Sequence, residues 1–93
     1  MAVTVRLPGS LREAVGGDAK MSAAGSTLAD VLADIERRHP GFRSLLVDDD
    51  GRLRTYVNVY IGDADARTSG GLAAPVPEGV EIMVIPAMAG GSA

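Results

Sequence analysis

The sequence predicts an α+β domain, a mixed sheet of four or five strands around one main helix, on three observations. Short segments alternate apolar and polar residues at the period of strands, and one stretch carries its apolar residues on a single helical face. The segments nearest the two ends, around Val3–Leu7 and Glu81–Pro86, are both apolar enough to lie in the middle of a sheet.

Val3, Val5 and Leu7 alternate with Ala2, Thr4 and Arg6, a strand with one buried face that Pro8-Gly9 ends. After Leu11–Val15, the Gly16-Gly17-Asp18 turn leads to a short strand, Lys20-Met21-Ser22-Ala23, that pairs antiparallel with the first. Thr27 and Asp30 stand at capping-box spacing, and Leu28, Val31, Leu32 and Ile35 follow one helical stripe. The spacing predicts a helix over 27–39, stopped by Pro40-Gly41. Phe42, Leu45 and Leu46 are expected to cover the end of the core from a short helical turn.

Asp48-Asp49-Asp50-Gly51 reads as a solvated turn. From Leu53 to Ile61 the alternation predicts the longest strand, with Arg54, Tyr56, Asn58 and Tyr60 pointing outward. Gly62-Asp63 turns the chain, Ala64–Thr68 is expected to return as a short strand, and Ser69–Pro77 reads as an irregular loop turning at Gly70-Gly71. Glu78-Gly79 then launches a last strand, Glu81–Pro86. This order fits a β-grasp domain over residues 1–86, with the last strand parallel to the first at the centre of the sheet. Residues 87–93 are expected to form a flexible tail, of which 87–91 would span roughly 16 Å if extended.

Composition narrows the chemistry. The 93 residues include no cysteine, so disulfides, thiolate zinc sites and a thiol nucleophile are excluded. Twelve acids against nine bases, two tyrosines and one phenylalanine disfavour a nucleic-acid surface. No apolar run approaches the roughly 20 residues of a spanning helix, and Arg6 and Pro8 interrupt any leader-like segment, so no membrane partner and a cytoplasmic location are expected. Asp48, Asp49 and Asp50 lack the alternate spacing of a calcium loop, and Ser69-Gly70-Gly71-Leu72 lacks the lysine of a phosphate loop; no metal site is expected. His39 suits the C-terminal end of the helix. No nucleophile, base and orienting group stand out as a catalytic set, so the chain is expected not to be an enzyme.

The tail carries the strongest functional signal. Ile85-Pro86-Ala87-Met88-Ala89-Gly90-Gly91 ends in two residues without a Cβ, a backbone slender enough to thread a narrow channel in another protein. Met88 is the one bulky side chain after Pro86, suited to anchoring the tail in a partner groove or folding back on its own domain. Tyr56, Tyr60 and Arg54, of residue types favoured at interface hot spots, form a candidate docking face or simply cover the back of the sheet.

The tail, with Thr55-Tyr56-Val57-Asn58-Val59-Tyr60 and Arg67-Thr68-Ser69-Gly70-Gly71-Leu72, resembles the ubiquitin-like sulfur-carrier family that includes ThiS and MoaD, above all its CysO-type branch serving cysteine biosynthesis. The resemblance spans Val3 to Gly91 and implies a protein co-substrate. An E1-like enzyme would use ATP and magnesium to adenylate Gly91, and a sulfur donor would convert the product to a thiocarboxylate. The acceptor would be a PLP-dependent cysteine synthase or another thio-metabolite enzyme. The chain itself would bind no cofactor.

The family pattern stops at the second glycine, whereas this chain continues with Ser92-Ala93. The expectation is cleavage between Gly91 and Ser92, for which the resemblance implies a JAMM-type metalloprotease; a cloning remnant or a relative without carrier activity are the competing explanations. Rival functions are a ubiquitin-like protein modifier, the small subunit of molybdopterin synthase, and an interaction module whose tail has no chemistry.

Overall fold

The computed structural model describes residues 2–86. Strand β1 (Ala2–Arg6) buries Val3 and Val5 and leaves the residues between them exposed, as its alternation predicts. Its continuation turns away at Pro8 into a short helix α1 (Gly9–Arg12) and a 3-10 turn (Glu13–Val15), with Val15 in the core. Strand β2 (Lys20–Ala24) then pairs antiparallel with β1, Val5 opposite Met21.

The main helix α2 (Leu28–Arg38) begins where the Thr27 hydroxyl accepts from the Asp30 amide. The first helical amide, that of Leu28, is unpaired within the helix and donates instead to the Ala74 carbonyl at 3.0 Å. Leu28, Val31, Leu32 and Ile35 form the buried stripe, and the helix ends at His39, the residue before Pro40. Helix α3 (Phe42–Leu46) follows and buries Phe42 and Leu46, while Leu45 stays partly exposed, so it covers less of the core than its sequence predicts.

The long strand expected from Leu53 to Ile61 is shorter. Leu53 bridges back to Val47 across the Asp48 turn, and the chain turns at Arg54–Tyr56, the Val57 amide donating to the Arg54 carbonyl at 3.2 Å. Only β3 (Val57–Ile61) joins the sheet, burying Val57, Val59 and Ile61. The returning strand is also curtailed: β4 is Ala64–Asp65, and Ala66–Thr68 coils into a 3-10 turn whose Asp65 carboxylate accepts from the Arg67 amide. The predicted irregular loop contains a 3-10 turn at Gly71–Ala73, then runs beside the start of α2 and buries Ala74 and Val76.

Strand β5 (Glu81–Pro86) has the bounds its sequence predicts. The sheet order is β2-β1-β5-β3-β4, with β5 parallel to β1 and antiparallel to β3. One core, formed by the inward residues of the sheet, the α2 stripe and Phe42, fills one face, the β-grasp arrangement expected. Among the described residues no helix is long and apolar enough to cross a membrane.

Candidate tail-launch site and sheet face

The residues that would carry chemistry, Met88, Ala89, Gly90, Gly91 and Ser92, lie outside the described residues. What the structure defines is the platform from which they depart. Strand β5 is central, so its position is fixed from both sides at Ile82 and Met83; beyond that point β1 has turned off at Leu7, whose amide donates to the Ala19 carbonyl at 2.8 Å. Ile85 and Pro86 are therefore held by β3 alone, opposite Asn58 and Val57. The last described residue stands at a margin of the sheet, the geometry a tail needs to reach outward.

Arg67 secures this margin, a role that its sequence position within the Arg67–Leu72 segment does not disclose. Its guanidinium donates to the Val57 carbonyl at 2.9 Å, the Arg54 carbonyl at 2.7 Å and Asn58 Oδ1 at 3.0 Å. Strand β4 reaches only Tyr60 and Ile61, and Arg67 supplies donors farther down β3 where no strand lies alongside. Only a long side chain returning from a 3-10 turn makes this contact, so no local pattern announces it.

The face of the sheet away from the core carries Tyr60, Met83 and Arg6 in one row across β3, β5 and β1, with Ile85 opposite Asn58 beside it. Met83 and Ile85 are partly exposed large apolar residues, and Arg6 stands 3.8 Å from Glu81. Of the candidate docking residues, Tyr60 lies on this face, whereas Arg54 and Tyr56 precede the strand. Arg54 is directed to α3, its Nε donating to the Ser44 carbonyl at 2.9 Å. Tyr56, 56% exposed, borders an apolar cavity of about 250 Å³ with Pro8, Leu11, Val57 and Pro86. The sequence reading missed Met83 and Ile85 as surface residues; their alternation with Ile82 and Val84 is the signal that exposes them.

Three carboxylates have depressed pKa values, all through backbone donors first. The Ala24 amide, then the Arg38 and Arg37 guanidinium groups, hold Asp34 below the usual carboxylate range, outweighing partial desolvation. Amides of Gly41 and Arg43 do the same for Glu36, and those of Arg52 and Asp50 for Asp48. Asp34 and Glu36 lie on α2 and Asp48 in a turn, and each carboxylate is taken up by backbone amides of neighbouring segments, so the shifts are structural. Asp48 spends its acceptor on its own turn, and no group of three potential metal ligands occurs among the described residues. No buried side-chain polar atom lacks a partner among the described residues.

Comparison with known proteins gives consistent results. The ThiS family model matches residues 5–91. The sulfur carrier protein CysO of Mycobacterium tuberculosis is 42% identical over 93 residues, covering 98% of this chain and all of the relative. The crystal structure of that CysO superposes with a TM-score of 0.87 at 40% identity, over 91% of this chain and 98% of the other. The Amycolatopsis orientalis BexX/CysO complex contains a chain that matches with a TM-score of 0.88 at 42% identity, over 96% and 99% of the two chains.

Proposed function

The chain belongs to the ThiS family, and on that premise we propose that it is a sulfur carrier of the CysO type whose reacting atom is the carbonyl carbon of Gly91. The observation that carries this reading is the near full-length similarity to CysO in a chain whose sequence places a diglycine shortly after its central strand β5. The chain is a protein co-substrate and leaves catalysis to its partners.

In this reading an oxygen of the Gly91 carboxylate attacks the α-phosphorus of ATP, pyrophosphate leaves with magnesium, and an acyl-adenylate results. A sulfur nucleophile then adds to the Gly91 carbonyl carbon and expels AMP, leaving a thiocarboxylate. Activation comes first because the charge of a carboxylate repels nucleophiles. The E1-like partner supplies the site; this chain supplies a rigid platform and a tail whose glycines admit close approach of the backbone. A PLP-dependent cysteine synthase or a related enzyme takes the sulfur. A JAMM-type metalloprotease removes Ser92-Ala93, since Gly91 must be terminal before its carboxylate exists.

The outward row of Tyr60, Met83 and Arg6 supports docking of such partners, apolar at its centre and flanked by the Arg6–Glu81 ion pair. The test is intact-mass analysis of the protein from its native host, followed by incubation of the Gly91-terminated chain with an E1-like enzyme, magnesium-ATP and sulfide. Replacement of one oxygen by sulfur at Gly91, abolished when ATP is omitted, is expected. An unchanged mass with an enzyme that loads CysO would overturn the reading, and recovery of Gly91 in isopeptide linkage to lysines would replace it with a protein modifier.

A further inference from the structure

We propose that the outward face of the sheet is self-complementary and docks a second copy of this chain, the two copies being related by a twofold axis along β5. The strand registers place five side chains in one row across that face: Lys20 on β2, Arg6 on β1, Met83 on β5, Tyr60 on β3 and Asp65 on β4. The row is basic at one end, apolar in the middle and acidic at the other. Met83, and Ile85 beside it, are large apolar side chains each 37% exposed. Neither Lys20 nor Asp65 has an ion-pair partner among the described residues, and Asp65 keeps Oδ2 available while its Oδ1 accepts from the Arg67 amide.

The order of charges selects the symmetry. Two identical sheets stacked face to face are related by a twofold axis running either across the strands or along them. An axis across the strands lays β2 on β2 and β4 on β4, so that Lys20 meets Lys20 and Asp65 meets Asp65, and like charges apposed in an interface are costly. An axis along β5 reverses the row. Lys20 of each copy then faces Asp65 of the other, Arg6 faces the Tyr60 ring in a cation–π contact, and Met83 covers its own counterpart. Glu81 also meets its counterpart, and Arg6, 3.8 Å away in the same chain, balances that charge.

Four strand spacings, about 19 Å, separate Lys20 from Asp65 within one chain. The face is therefore small, and the dimer it makes is weak and reversible rather than obligate. An enzyme that docks on the same row must displace the second copy, so the concentration of free chain sets how much of the face is open.

The experiment is sedimentation equilibrium of the full chain at low and high salt, joined to zero-length carbodiimide cross-linking of an equimolar mixture of light and heavy-isotope chains. Lys20 is the one lysine in the sequence, and its distance from Asp65 along the row means that an amide between them joins two copies. A concentration-dependent dimer, weakened about tenfold or more by high salt, is expected, together with mixed-isotope Lys20–Asp65 peptides. Lys20→Glu and Asp65→Lys should each weaken self-association about tenfold or more, and mixing the two variants should restore it, because each mixed pair has one native and one reversed contact. A chain that stays monomeric up to about millimolar concentration, a dimer without mixed-isotope Lys20–Asp65 peptides, or a dimer unaffected by Lys20→Glu would overturn the proposal. The cross-link on the unaltered chain decides the matter even where Asp65→Lys does not fold. None of these measurements involves sulfur transfer, so their failure leaves the carrier reading untouched.

Discussion

Arg67 Nη2 donates to the carbonyl of Val57, the residue paired with Pro86, and thereby ties the 3-10 turn after β4 to the strand that holds the tail. The opposite edge of the sheet uses the same device. Asp34 and Arg38 of α2 reach over β2, the carboxylate accepting from the Ala24 amide and the guanidinium donating to the Ser22 carbonyl. Strand edges that would otherwise expose unpaired backbone are thus closed by side chains.

Arg67→Ala removes three hydrogen bonds with a charged donor, one of them partly buried, and is expected to cost about 1–3 kcal/mol in urea unfolding. Arg67→Lys should recover only part of this, because one ammonium cannot reproduce the planar fork. Equal midpoints for all three proteins would show that the contact does not support the fold.

Gly25→Ala should destabilise and Gly9→Ala should not. A Cβ at Gly25 would lie 2.6 Å from the Val31 amide nitrogen and 2.8 Å from the Asp30 carbonyl carbon, backbone that the capped start of α2 holds in place. Gly9 faces open space. A loss of about 1–3 kcal/mol at Gly25 is expected in chemical denaturation, and its absence would mean that the helix start shifts freely.

Acid should weaken the link between α2 and β2. The folded pKa of Asp34 is depressed, so its contribution is complete above the unfolded value, near pH 4, and is lost as pH falls through the folded one. Asp34→Asn should therefore be less stable than the parent near neutrality and show a shallower decline below about pH 4. Parallel stability curves for the two proteins would refute the assignment.

Met83→Glu places a charge at the centre of the outward row, where the parent side chain is already partly exposed, so folding should be retained. If this face docks the activating enzyme, the apparent KM for the carrier should rise about tenfold or more, an interface penalty above 1 kcal/mol. An unchanged KM would move docking to another surface.

The apolar alternation of β1 and β5, the α2 stripe and the Pro40-Gly41 stop were legible because each is a local periodicity or a local steric rule. The alternation from Leu53 to Ile61 was misleading for a physical reason. Leu53 is buried by pairing with Val47, and Val57 by the sheet, so two separate contacts reproduce the pattern of one strand. The tail motif was legible in sequence because the role proposed for Gly90 and Gly91 depends on the Cβ atoms they lack, a property of the residues themselves.

The sequence by itself determined the element order, the buried stripe and the slender diglycine terminus, all properties of residues near one another in the chain. Tertiary structure alone decided that Arg67 closes one sheet edge and Asp34 the other, that Arg54 turns toward α3, and that Pro8, Leu11 and Tyr56 meet beside Pro86. These contacts join segments separated by turns, and their partners are set by the geometry of closure, which no local periodicity encodes.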